Sequence, residues 1–149
     1  MRMEKKAVHI ACTPARLWTC LTDPATLKQW IEDLVDDTPE DPAKTSGVGV
    51  VSTMRLREGG KIQSYRCVVT AWEPERRVAL QMTGGSFGPG MAMDIDYRIT
   101  PEAQGCRLDY AVEVPLKGMF ILIAPMIWLF SRINAHKALG KLAKVASQK

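Results

Sequence analysis

Chemistry needs side chains that titrate, ligate or attack, gathered within reach of one another, and this 149-residue chain offers few such sets. Its two histidines, His9 and His136, lie at opposite ends among polar neighbours and read as surface residues. Cys12, Cys20, Cys67 and Cys106 show no C-x-x-C spacing. They read as reduced, mostly buried thiols, not as zinc ligands or a redox pair. Asp94 and Asp96 stand two apart in an alternating segment, which puts both on one outward face of a strand. That is a place for solvated charge, not for a paired general acid and base. The stretch TGGSFGPG, 83–90, is glycine-rich but lacks the Gly-Lys-Ser/Thr ending and the strand-to-helix setting of a phosphate loop. Gly47-Val48-Gly49 is too short for a nucleotide fingerprint, and no Gly-x-Ser-x-Gly elbow occurs. No metal, cofactor or catalytic set is expected.

What remains is suited to binding. Met54, Met82, Met91 and Met93 can project to one side of a sheet, and methionine adapts to irregular apolar shapes. Tyr65, Tyr97 and Tyr110 add the few polar groups that orient a ligand in an apolar pocket.

These residues need elements to position them. Ala7 to Cys12 predicts a first strand. Thr13 then caps a short helix opened by Pro14, and Asp23 with Pro24 repeats that grammar for a second one ending at Trp30. DDTPEDPAKTSG, 36–47, is polar and turn-rich and predicts a loop. GVGVVSTMRLR, the turn EGG and KIQSYRCVVTAW predict a hairpin, and VALQMT predicts a further strand after the turn PERR. In MAMDIDYRIT, Met91, Met93, Ile95, Tyr97 and Ile99 alternate with Asp94, Asp96 and Arg98. Cys106, Leu108, Tyr110, Val112 and Val114 alternate likewise with Arg107, Asp109 and Glu113. Period two with one apolar face is the pattern of an antiparallel sheet. Ile121, Ala124, Trp128, Ala135, Leu139, Leu142 and Ala146 recur at helical spacing and predict a long C-terminal helix with one stripe toward the core.

That helix begins in GMFILIAPMIWLF, 118–130, which has no polar side chain from Met119 to Phe130. A membrane span needs about 20 apolar residues, and this run is shorter and carries Pro125. The N-terminal MRMEKKAVHIAC has no signal-peptide core. A cytoplasmic protein of one domain, residues 1–149, is the expectation. Composition agrees: 46% apolar and 24% charged residues describe a globular chain. A net charge of +4, concentrated in the tail KALGKLAKVASQK, permits transient contact with an anionic membrane surface. No basic stripe interleaved with aromatics calls for nucleic acid.

Taken in order, the segments resemble a known group. TPARLWTCLTDPATLKQW, through Pro14, Trp18, Thr22, Asp23, Pro24 and Trp30, resembles the opening of the START-like superfamily, the polyketide cyclase/dehydrase and lipid-transport group. VVTAWEPERRVAL resembles its strand–turn–strand segment through Glu73, Pro74, Arg76 and Arg77. ITPEAQGCRLDYAVEV, with Gly105 at the turn, resembles its penultimate hairpin, and LGKLAKVAS the end of its last helix. The resemblance implies an α+β helix-grip fold, in which a curved antiparallel sheet wraps the C-terminal helix and leaves a cavity between them. It places Trp30, Met54, Tyr65, Cys67, Met82, Met91, Met93, Tyr97, Tyr110 and Trp128 on the cavity and Phe87, Phe120, Ile123 and Ile127 at its mouth, as a gate. It implies binding of a hydrophobic small molecule such as a lipid, quinone or polyketide-like compound. An aromatase/cyclase-like enzyme and a co-chaperone-like interaction module are the competing readings. The apparent want of a pocket histidine or buried carboxylate speaks against the enzyme.

Overall fold

The computed structural model describes residues 2–85, 92–113 and 138–147, the first four of these by backbone alone. Strand β1 spans Arg2–Ile10 and is followed by helices α1, Pro14–Thr22, and α2, Pro24–Trp30. Strands β2, Leu34–Pro39, β3, Val51–Glu58, β4, Lys61–Glu73, β5, Arg77–Gly84, β6, Ala92–Glu102, and β7, Gly105–Glu113, complete one seven-stranded sheet. Its order is β1-β7-β6-β5-β4-β3-β2, antiparallel throughout. Residues 138–147 form helix α3.

The short helices are fixed by their caps. The Thr13 hydroxyl accepts from the Arg16 N–H at 3.1 Å, and Pro14 takes the first helical position. Asp23 then serves twice. Its own N–H closes α1 on the Thr19 carbonyl, and its side chain accepts from the Ala25 N–H and the Thr26 hydroxyl at the start of α2. Because Pro24 keeps the preceding residue out of helical geometry, the chain must turn there.

The expected alternation sets the faces of β6 and β7. Ile95, Tyr97, Ile99, Cys106, Leu108 and Val112 are buried, and Asp94, Arg98 and Arg107 are exposed. On the outer face, Asp96 accepts from Arg77 at 3.1 Å and from Arg98 at 3.2 Å. On the inner face, Leu139, Leu142, Val145 and Ala146 of α3 are buried, and Arg16 donates to the Val145 carbonyl at 3.3 Å, tying α1 to α3. The upstream part of the predicted helical stripe, Ile121 to Ala135, lies outside the described residues.

Three local expectations are corrected. The segment read as a loop from Asp36 opens with the last four residues of β2, which pair with β3 through Asp36↔Arg55, Asp37↔Met54, Thr38↔Thr53 and Pro39↔Ser52. An edge strand tolerates aspartates and a proline, because one side of its ladder needs no partner. The predicted strand beginning at Gly47 begins at Val51, since Gly47 (φ 100) and Gly49 (φ 89) adopt left-handed backbone. The first strand starts earlier and ends earlier than Ala7–Cys12. Pairing with β7 recruits the polar N-terminal residues, and the Cys12 N–H turns back to the Ile10 carbonyl.

Candidate ligand cavity

Between the concave face of the sheet and the helices lies a cavity of about 560 Å³. Leu21, Leu27, Trp30 and Ile31 approach it from α1, α2 and the turn that follows, and Ala138 approaches from α3. The sheet supplies Met54 and Leu56 from β3, Tyr65, Cys67 and Val69 from β4, Val78, Leu80 and Met82 from β5, Met93, Ile95 and Tyr97 from β6, and Tyr110 and Val112 from β7. The surface is mostly hydrocarbon, sulfur and aromatic ring. Pockets that take small organic molecules have this size and this character.

The large side chains are fastened to the walls. The Trp30 indole N–H donates to the Cys20 carbonyl at 2.8 Å, which anchors its ring beside α1. The Tyr65 hydroxyl donates to the Glu58 carboxylate, at 2.6 Å to Oε2 and 2.8 Å to Oε1. Tyr97 and Tyr110 are direct cross-strand partners, with ring centroids 5.2 Å apart and planes tilted by 41°. Burial, then the neighbouring Tyr110, pushes the Tyr97 phenol well above its ordinary value. Burial and then the nearby Asp37 charge push the Cys67 thiol up to about 12. A thiol so shifted stays protonated and is a packing group, not a nucleophile. The four cysteines carry free thiols.

Of the residues expected on the cavity, Trp30, Met54, Tyr65, Cys67, Met82, Met93, Tyr97 and Tyr110 line it. Met91 and Trp128, and the expected gate residues Phe87, Phe120, Ile123 and Ile127, lie outside the described residues. His9 sits on the sheet's outer edge, with Nδ1 at 3.2 Å from Glu102. Among the described residues no cluster of His, Cys, Asp or Glu could hold a metal, and no helix is long and apolar enough to cross a membrane.

Sequence reasoning missed Asp37. It lies on β2, lines the cavity beside Ser52 and Met54, and has one carboxylate oxygen, Oδ1, shut off from water with no partner among the described residues. Burial raises its pKa; the neighbouring Ser52 hydroxyl opposes that rise, and the Asp36 charge adds to it. Asp36 behaves in the opposite way. On the outer face Arg55 donates to it from Nε at 2.8 Å and also from Nη2, and this pairing lowers its pKa. A register shift between Leu34 and Asp36 breaks the alternation at the start of β2. Two adjacent aspartates in a polar stretch carry no signal that one of them faces inward.

Comparison with known proteins fits this architecture. Residues 4–147 match the family model described as polyketide cyclase/dehydrase and lipid transport. An uncharacterised protein of Mycobacterium tuberculosis, and its counterpart in Mycobacterium bovis, are 28% identical over 114 residues. That alignment takes in 76% of this chain and 66% of theirs, so the chain spans just under two thirds of those relatives. Among solved structures, Ara h 8.0201 superposes with a TM-score of 0.73 at 12% identity, covering 96% of this chain and 95% of that one. The di-domain ARO/CYC StfQ from the steffimycin biosynthetic pathway superposes with a TM-score of 0.75 at 13% identity, covering 96% of this chain and 49% of that one. A protein from Thermus thermophilus gives 0.73 at 16% identity, with 95% and 94% covered. At such identities the likeness concerns the fold, which is the α+β helix-grip.

Proposed function

The chain belongs to the polyketide cyclase/dehydrase and lipid-transport family, and from that premise we propose that it binds a hydrophobic small molecule in the helix-grip cavity. A lipid, a quinone or a polyketide-like compound has the required character. The observation that carries this reading is the cavity of about 560 Å³, walled by Met54, Met82, Met93 and the aromatic side chains that hydrogen bonds and ring contacts hold to its sides. Binding is driven by removal of apolar surface from water, at about 25 cal/mol per Å². The hydroxyls of Tyr97 and Tyr110 set orientation. Mass spectrometry of extracts from gently purified protein tests the reading. A stoichiometric apolar molecule, absent from a denatured control, is the expected result. Protein that stays empty, and whose melting temperature no apolar compound raises, would overturn it.

One observation favours a second reading, an aromatase/cyclase-like activity. Asp37 is a carboxylate in the cavity wall, the kind of group whose apparent want in the sequence argued against an enzyme. A carboxylate held partly out of water is a stronger base than an exposed one, as proton removal from a carbon between carbonyls demands. Turnover of a poly-β-ketone by wild-type protein, abolished in Asp37→Asn without loss of binding, distinguishes an enzyme from a carrier.

A further inference from the structure

The described wall of the cavity contains two carboxylates, Asp37 and Glu58, and no lysine, arginine or histidine. Glu58 already accepts the Tyr65 hydroxyl through both oxygens. Asp37 is different. Its Oδ1 is buried with no hydrogen-bond partner among the described residues, while the side chain as a whole lines the cavity. The basic group nearest in the strand ladder, Arg55, is turned to the outer face and engaged by Asp36. A carboxylate oxygen removed from water and left without a donor is a costly arrangement, and such arrangements in native proteins have a cause.

Because the Asp37 carboxylate lines the cavity, a molecule entering it can compensate that group only by bringing a donor. An apolar anion brings none, and its own charge would lie near two carboxylates with no described cation beside it. An ammonium brings donors but must first shed its hydration, which is expensive inside a largely apolar wall. A neutral hydroxyl brings one donor at small desolvation cost. Hydrogen bonds from neutral donors to carboxylates are short and strong.

We propose that Asp37 is the polar anchor of the cavity, and that it selects apolar molecules bearing a neutral hydroxyl, an alcohol or a phenol, over apolar carboxylates of the same length. This rests on the reading of the cavity as a ligand site. The hydroxyl end of the ligand lies at β2 and β3, beside Asp37 and Ser52. Its hydrocarbon runs along Met54, Met82 and Met93.

Displacement of the neutral fluorophore N-phenyl-1-naphthylamine tests this, with decanol, decyl methyl ether, decanoate and decylammonium as competitors at neutral pH. Wild-type protein is expected to prefer decanol to both the ether and decanoate by about tenfold or more. Asp37→Ala closes the gap between decanol and the ether. Asp37→Asn, which keeps the shape and removes the charge, closes most of the gap to decanoate. Equal competition by decanol and decanoate overturns the anchor even with wild-type protein alone, so a variant that fails to fold does not shield it. Decylammonium outcompeting decanol tenfold would make Asp37 a cation site and overturn the hydroxyl assignment. Unselective binding sinks the anchor and leaves the cavity reading intact. If neither the fluorophore nor any competitor binds, the cavity reading itself fails and takes the anchor with it.

Discussion

One sheet builds two kinds of interior. At the β1-β7-β6 end, Ile10, Leu17, Cys20, Cys106, Leu108 and Leu142 are at most 1% exposed, and none of them touches the cavity. Toward β2, β3 and β4 the same concave face carries Met54, Tyr65 and Cys67 and is hollow. Strand periodicity is alike in both; the side chains differ. Small and branched aliphatic groups, with two thiols, fill one end to the density of a folded core. Around the cavity the large rings, from Trp30 and Tyr65 across to Tyr97 and Tyr110, are tied to backbone or to neighbouring side chains, so they line space without crossing it. A cavity survives here because its big residues are fastened outward, not because big residues are scarce.

The comparison breaks most readily at the filled end. Leu108→Ala is expected to cost about 2–5 kcal/mol in urea unfolding, because the deleted methyls leave a new void in a tight core. Met82→Ala should cost clearly less, since its missing atoms only enlarge a void that already exists. Its effect belongs instead in ligand affinity, measured per folded molecule. Equal stability losses for the two substitutions would mean the two ends are packed alike.

Next in size is the fastening of Tyr65. A Cβ added at Gly85 would overlap the Tyr65 ring, and its φ of 55 is left-handed. Gly85→Ala is expected to cost about 1–3 kcal/mol through that overlap and to alter fluorophore uptake as the ring shifts from Glu58. Gly60→Ala, where φ is 83 and an added Cβ meets nothing, isolates backbone strain and should cost less with uptake unchanged. Smaller again is Tyr97→Phe, expected to cost about 1 kcal/mol or less while changing the order of ligand preference. A large loss of stability with preference intact would make that hydroxyl structural.

How legible these regions were in the sequence follows from their physics. The β6 and β7 faces were plain because Ile95, Tyr97, Cys106 and Leu108 alternate with charged residues over long paired strands. The capped helices were plain because Thr13-Pro14 and Asp23-Pro24 admit few other conformations. The inward face of β2 was not. Its composition is that of a loop, and it is a strand only because β3 supplies its ladder. The irregularity between Leu34 and Asp36 then shifts which side chains point in, a choice made by tertiary pairing and not by local preference. Asp37, the cavity carboxylate, was hidden for that reason, whereas Met54, Met82 and Met93 were visible on regular strands.

The finest division lies within β2 itself, where two adjacent aspartates face opposite environments and titrate in opposite directions. For Asp37 the folded value is raised. Below the ordinary carboxylate value of 3.8 both states hold the proton and nothing is gained or lost. As pH rises past that value the unfolded chain releases its proton first, so the folded state loses stability until its own, higher value is passed. For Asp36 the folded value is lowered by Arg55. Its contribution is present above the ordinary value and is lost as pH falls toward the lowered one. Asp37→Asn should therefore gain on wild type as pH climbs from about 3 to about 7. Asp36→Asn should lose ground over the same range. Urea unfolding of the three proteins at several pH values reads the difference. Parallel profiles for wild type and Asp37→Asn would place Asp37 in water and leave Glu58, already engaged by Tyr65, as the one carboxylate of the described wall. Saturating decanol supplies a further check, because a hydroxyl donating to the ionised Asp37 favours that ion and should shrink the gap at neutral pH.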